Sequence, residues 1–351
     1  MRLPVLQHSR SDPLPAFDGP VRGLRDSHGR TIRDLRISIT DRCNFRCVYC
    51  MEPDVRFMRK VELLTDAEIV RVVRVCHALG VRRVRLTGGE PSVHPTLAAL
   101  IGDLWAIGLD DLSMTTNGSV MSEADLAECR NAGLQRLTIS LDSLRPDRFA
   151  ALTRSATSPQ RVLESISAAK RVGLEPVRVN AVIMRGFNDD EIIDLAKLAR
   201  ELEIDMRLIE YMPLDSGRRW DLSKVVTADE MLERITGMFP LEPIGRERTS
   251  SPATRYRFVD GAPGRIGVIA SVTRAFCSAC SRLRITADGM VMPCLFSTNE
   301  YDLRFVLRQP GSTDDDIARF LAAATLRKQA GHTMHDEHYR QPDRPMSAIG
   351  G

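Results

Sequence analysis

Six short β-type runs recur through the middle of the chain, at 35–40, 84–87, 112–115, 136–140, 177–182 and 206–210. Their centres lie 25 to 48 residues apart, room for a crossover helix each time. The intervening segments carry helix punctuation. Thr65-Asp-Ala-Glu68 reads as a capping box and Gly80 as its left-handed stop; Asn188 with Glu191 opens a later helix, and Gly133 and Gly173 follow two others. Strands alternating with helices predict a parallel sheet with right-handed crossovers. Six units fall short of the eight that close a barrel, so the expected fold is α/β, an incomplete (β/α)6 TIM-like barrel.

Beyond residue 224 the pattern changes to one helix at 228–236, short strands at 256–259, 265–270 and 282–286, and a helix at 314–327. This predicts a smaller C-terminal α+β domain. The expected division is a loose extension over 1–30, a barrel over 31–238, and a C-terminal domain over 239–351 that ends in an irregular tail. With 351 residues and 43% hydrophobic content, one large core and a smaller one are affordable. Lysine and arginine (49) nearly balance aspartate and glutamate (46), which argues against coating nucleic acid or anionic membrane. Any anionic ligand must therefore be caught by local basic residues. No apolar run approaches the roughly 20 residues of a membrane span, and residues 1–12 lack a signal-peptide core, so a cytoplasmic protein is expected.

Eight cysteines in a cytosolic chain of this size do not suggest disulfides. Six fall in two tight groups, while Cys76 and Cys129 lie on helical patterns and read as small core residues. The first group, Cys43-x3-Cys47-x2-Cys50, directly follows the first strand, where barrel loops build active sites. Three thiolates suit a 4Fe-4S cluster with one open iron, or a zinc site lacking its fourth ligand. Gly88-Gly89-Glu90-Pro91 ends the second strand. Its glycines permit close backbone approach, and its carboxylate can accept from an ammonium.

The CxxxCxxC motif, with aromatic Tyr49 before its last cysteine, resembles the radical S-adenosylmethionine (SAM) superfamily. The resemblance implies that the open iron binds the amino and carboxylate groups of SAM and that cleavage gives a 5′-deoxyadenosyl radical. Tyr49, Gly89, Glu90, Ser140 and Met212 match the positions that line the SAM pocket.

The second group, Cys277-x2-Cys280-x13-Cys294, is compatible on spacing alone with zinc, since His332, His335 and His338 lie downstream. Against that, Arg282 and Arg284 alternate on a strand, and paired arginines suit phosphate or carboxylate oxygens. With this group the resemblance narrows to the GTP 3′,8-cyclase family of molybdenum cofactor biosynthesis. It is carried by 35–41 before the cysteines, 84–91, Thr115-Thr-Asn-Gly118, Phe276-Cys-Ser-Ala-Cys-Ser-Arg-Leu-Arg284, Cys294-Leu-Phe296 and the terminal Gly350-Gly351.

Membership of that family would imply two 4Fe-4S clusters held by the six cysteines and facing each other, with guanine on the second open iron. Abstraction of the ribose 3′ hydrogen and attack on C8 would then follow, with no side chain as catalytic acid or base. The implied GTP contacts are Arg36, Arg85, Thr116, Arg178, Arg282, Leu283 and Arg284. Converging arginines suit a triphosphate carrying about four negative charges. The family has lysine where Arg178 stands, and a basic residue where this chain has Ser92-Val-His94. Gly350-Gly351 could be a frayed end or a conjugation signal; the resemblance implies instead a thin tail reaching into the active site. It also implies a homodimer, an external one-electron donor and a product passed to the next pathway enzyme.

Overall fold

The computed structural model describes residues 14–15, 19–334, 336 and 339–350. Its central feature is a run of six parallel strands in chain order: β1 (Asp34–Ser38), β2 (Arg83–Thr87), β3 (Asp111–Thr116), β4 (Arg136–Ser140), β5 (Arg178–Ile183) and β6 (Asp205–Glu210). Between them come α1 (Asp66–Ala78), α2 (Leu97–Trp105), α3 (Glu123–Ala132), α4 (Pro146–Thr153), α5 (Pro159–Arg171) and α6 (Ile192–Glu201), with α7 (Ala228–Thr236) after the last strand. The Thr65/Glu68 capping box forms at the start of α1, and Gly80 closes that helix at φ +95°.

The rest of the chain contributes β7 (Leu241–Gly245), β8 (Thr254–Phe258), β9 (Arg265–Ile269), β10 (Arg282–Ile285), β11 (Met290–Met292), β12 (Tyr301–Asp302), α8 (Leu303–Leu307), α9 (Asp314–Leu326) and α10 (Met346–Ile349). These strands extend the barrel sheet itself. β9 pairs in parallel with β6, and β10 pairs in parallel with β1. The six expected parallel strands thus become eight, but β9 and β10 do not pair with each other and the arc stays open. β8 and β7 continue one edge antiparallel, β11 and β12 the other. The expectations omitted β7, whose Pro243 and Gly245 are tolerated because it is an edge strand.

The two faces of the parallel strands differ in chemistry. Leu35, Ile37, Val84, Leu86, Leu112 and Met114 are fully or almost fully buried in the main core, toward the helices. On the alternate face, Arg36, Arg85, Thr115, Asn180 and Arg207 line cavities. A TIM barrel normally fills its interior with branched apolar side chains. Here that interior is polar and partly empty, which places a binding site inside the arc.

The helical segment does open at Asn188, with a 3-10 turn over Asp189–Glu191 leading into α6; there the Asn188 amide binds the backbone of Asp142, Val182 and Met184, and the buried Glu191 carboxylate accepts from Ser143 and the Leu144 N–H. Two expectations need correction. The segment before residue 31 is not loose throughout, since Leu24 is fully buried and pairs with Ile32 through the backbone; residues 1–13 and 16–18 lie outside the described residues. The tail is not wholly irregular either, because it forms α10 and buries Ile349 against Leu214, Val272 and Phe296.

Candidate active site

The loop after β1 carries Cys43, Cys47 and Cys50, and the loop after β2 is clamped to it. Gly89 N–H donates to the Thr40 carbonyl at 2.9 Å and Glu90 N–H to the Arg42 carbonyl at 2.7 Å. A Cβ on Gly88 would lie 2.4 Å from the Thr40 oxygen, and one on Gly89 2.4 Å from the Arg42 oxygen, so both positions exclude any side chain. Glu90 is buried beside the cysteines. Its carboxylate accepts from Thr116 Oγ1 at 2.6 Å, Asn117 N–H at 2.7 Å and Ser92 N–H at 3.0 Å. Burial pushes its pKa up, opposed by those bonds, and roughly one of a carboxylate's four acceptor directions stays open for a ligand. Tyr49 donates to Asp142 Oδ2 at 2.5 Å, and Val182 N–H to Asp142 Oδ1 at 2.8 Å. Asp142 is pushed up to about 6 by burial, which these two bonds oppose.

The three thiols here are free and strongly shifted. Burial first, then neighbouring carboxylates and thiols, pushes Cys43 to about 11 and Cys50 to about 12, and Cys47 well above its ordinary value. Thiolates at these positions need a bound cationic partner. Ser347 of α10 hydrogen-bonds Cys50, so the tail packs against this triad.

The second triad is built beside the first, at the other end of the strands: β10 pairs in parallel with β1, and the first triad follows β1 whereas most of the second precedes β10. Cys277 and Cys280 precede β10, and Cys294 follows β11. Arg30 Nη1 donates to the Cys277 carbonyl at 2.7 Å, and the buried Lys328 ammonium donates to the carbonyls of Arg282 (2.8 Å) and Pro293. Lys328 thereby ties the strand after Cys280 to the residue before Cys294. The electrostatics differ from those of the first triad at one thiol: burial raises Cys277, as in the first triad, whereas at Cys280 the opposing Arg282, Lys328 and Arg284 outweigh burial and bring the thiol down to about 7.

Both triads line one cavity of about 280 Å³. Tyr49, Gly89, Glu90, Ser140, Met212, Thr116, Arg36, Arg282 and Arg284 line it as well. A second cavity of about 110 Å³ adjoins it and shares Arg36, Thr115, Asn180 and Arg282. Arg85, Arg136, Arg178, Arg207 and Arg248 also border this pocket. Arg36 and Arg207 have no hydrogen-bond or ion-pair partner among the described residues, and Arg85 donates only to the hydroxyls of Thr115 and Thr138. Burial, then the neighbouring arginines, pulls Arg85 down to about 10 and Arg207 to about 9, and lowers Arg36 strongly. Asp34, Asp111 and Glu247 line the same pocket and offset part of this positive charge; a polyanion would offset the rest.

Leu283 is not brought to either cavity. Strand alternation turns its side chain into the main core, where it is fully buried. Gly350 is brought in: Arg284 donates to its carbonyl, and a Cβ there would meet Thr87 Oγ1 at 2.4 Å and Ser38 Oγ at 2.5 Å. Gly351, His335 and His338 lie outside the described residues. The sequence reading missed Arg207, Lys328 and Arg30. Arg207 had a signal, an arginine between Met206 and Leu208 in an otherwise buried parallel strand.

Each triad offers three thiolates beside one shared cavity, a donor set that fits clusters spreading their thiolate ligands over several iron atoms.

The comparisons with known proteins agree. Residues 37–199 match the Radical SAM superfamily, and residues 204–334 match Molybdenum Cofactor Synthesis C. The chain is 48% identical over 332 residues to the GTP 3′,8-cyclase of Streptomyces coelicolor, covering 93% of this chain and 96% of that one. The chain belongs to the GTP 3′,8-cyclase family. The GTP 3′,8-cyclase of Mycolicibacterium smegmatis is 42% identical over 362 residues, covering 99% of this chain and 98% of that protein. The fold is also similar to that of Streptococcus suis SuiB, with TM-score 0.59 at 15% identity over 85% of this chain and 67% of SuiB. As a member of this family, the chain is a radical SAM enzyme whose cofactors are SAM and two 4Fe-4S clusters.

Proposed function

We propose that this chain is a lyase converting GTP to (8S)-3′,8-cyclo-7,8-dihydroguanosine 5′-triphosphate, an early step of molybdenum cofactor biosynthesis. The observation that carries the reading is the junction of the two cavities. A space between two cysteine triads opens, past Arg36 and Arg282, onto a pocket rich in arginines, of which Arg36, Arg85 and Arg207 have no acidic partner among the described residues. A nucleoside triphosphate across that junction has its base and ribose among the cysteines and its phosphates among the guanidinium groups.

In this reading Cys43, Cys47 and Cys50 hold the cluster that meets SAM, and Cys277, Cys280 and Cys294 hold the one that meets guanine. Together with SAM, the first cluster supplies a carbon radical able to take the ribose 3′ hydrogen. The protein's own part is positioning and exclusion of water. Glu90 offers its free acceptor direction to the SAM ammonium, while Tyr49, pinned by Asp142, fixes the third cysteine's turn. Arg36, Arg85, Arg178, Arg207 and Arg282 neutralise the phosphates, and Arg284 holds the tail carbonyl at Gly350 beside the cavity. We assign 31–238 to the SAM-binding unit and 239–351 to the unit with the second cluster, supported by the change after α7 from regular βα units to a run of strands β7–β12 with no α-helix between them.

A homodimer, an external one-electron donor, a cytoplasmic location and transfer of the product to the next pathway enzyme complete the proposal. The electron demand of SAM cleavage supports the donor, and the oxygen sensitivity of open clusters supports a reducing compartment. No helix among the described residues is long and apolar enough to cross a membrane.

The test is anaerobic reconstitution and incubation with SAM, reductant and GTP deuterated at C3′. Deuterium in 5′-deoxyadenosine and a product isomeric with GTP are expected. Formation of 5′-deoxyadenosine at the same rate without GTP, with no transfer of deuterium, would refute the assignment.

A further inference from the structure

One carboxylate already occupies the arginine pocket. Glu247 lies on the loop joining β7 to β8, and its Oε2 accepts from Arg178 Nη2 at 2.7 Å. Its Oε1 lies 3.3 Å from Arg136 Nη1 and 3.5 Å from Arg248 Nη1. The same loop takes a second pocket arginine, since Arg282 Nη1 donates to the Ser250 carbonyl at 3.1 Å. Two of the arginines assigned to the triphosphate are therefore engaged by this loop.

Glu247 differs from the pocket's other acids. Asp34 and Asp111 stand at the first positions of β1 and β3, fixed by the sheet and paired with Arg83 and Arg136; Asp205, behind the pocket at the start of β6, is 3.5 Å from Arg265 and 4.0 Å from Arg178. Glu247 rides instead on a connection between two antiparallel strands at the sheet's edge, and a quarter of its side chain reaches solvent. The four arginines around it hold its carboxyl below the ordinary range against the opposing effect of burial, so at neutral pH it is an anion. A phosphate on Arg178 beside that anion would set like charges together in a confined space.

We propose that Glu247 holds the place of the substrate's terminal phosphate, so that a phosphate chain enters the arginine pocket only by displacing it. The contact keeps Arg178 and Arg136 ordered and partly neutralised before substrate arrives. Displacing it lowers the affinity for any phosphate chain that reaches Arg178 and leaves binding of a lone nucleoside unaffected, so Glu247 tunes how tightly the phosphates are held. The inference rests on the reading of this pocket as the triphosphate site.

The test is equilibrium binding of GTP, inorganic tripolyphosphate and guanosine to the anaerobic holoprotein and to its Glu247→Gln variant. GTP and tripolyphosphate are expected to bind at least about fivefold more tightly to the variant, the lower end of a coupling between exclusive occupants, with guanosine unchanged. Glu247→Ala should show the same gain, which separates loss of charge from new bonding by the amide. Equal or weaker GTP binding in both variants overturns the inference while leaving the pocket reading intact, and so does an equal gain for guanosine. Failure of GTP and tripolyphosphate to bind any of the three proteins overturns the pocket reading and the inference with it.

Discussion

The two cysteine triads face one cavity from different electrostatic settings. Around Cys43, Cys47 and Cys50 burial raises the thiols, Glu90 and Asp142 add to it, and Arg46 opposes it only at Cys43. Around Cys280 the near charges are Arg282, Lys328 and Arg284, and they overcome burial. Equal ligand number therefore does not mean equal sites. The carboxylate-rich triad suits a cationic partner such as the SAM sulfonium and ammonium, and the cation-rich triad suits an anionic nucleotide.

The largest effects should come from the cysteines themselves. Cys47→Ser is expected to abolish 5′-deoxyadenosine formation, by about a thousandfold or more, since the radical source is lost and iron content falls from about eight to about four atoms. Cys280→Ser should lose the same iron yet keep the SAM-perturbed signal of the remaining cluster; if the two variants behave identically, the division of labour is wrong. Next come the unpaired cations. Arg36→Ala or Arg207→Ala should weaken GTP binding by about 1.5–3 kcal/mol, roughly ten- to a hundredfold, without changing the Kd for SAM. Equal weakening of both ligands, read by equilibrium binding, would deny the pocket its selectivity.

Lys328→Met sharpens the comparison further. Removing a cation beside Cys280 disfavours the more negative reduced cluster, so the midpoint potential of that cluster should fall while the other stays put, as followed by a redox titration. A shift shared by both clusters would contradict the assignment of Lys328. The smallest effect is expected from Tyr49→Phe. Asp142 keeps its bond from Val182, so loss of the 2.5 Å contact should cost about 1 kcal/mol in stability, measured by denaturant unfolding, with both clusters retained.

Much of this comparison was legible in the sequence. Each triad is a short local motif, and Gly88-Gly89 is a local demand for space, so spacing and residue type suffice to find them. The six βα units were legible because strand and helix periods differ along hundreds of residues. What escaped was set by chain segments meeting across the fold. Arg30 reaches Cys277 over 247 positions, Lys328 reaches Arg282 over 46, and β9 and β10 join opposite edges of a sheet begun more than two hundred residues earlier. Asn188 and Glu191 do open the helix their spacing announced, but their further role in a buried hydrogen-bond network with the loop after β4 was out of reach for the same reason. Leu283 was misplaced with its arginine neighbours because a motif names consecutive residues, whereas a strand presents alternate ones.

The shared cavity with two differently charged ends is tested most directly by the paramagnetic resonance of single-cluster variants. In protein carrying Cys43→Ser, Cys47→Ser and Cys50→Ser, GTP should change the spectrum of the remaining reduced cluster and SAM should not. A spectrum indifferent to GTP, or one altered by SAM instead, would contradict the placement of the nucleotide at the C-terminal triad.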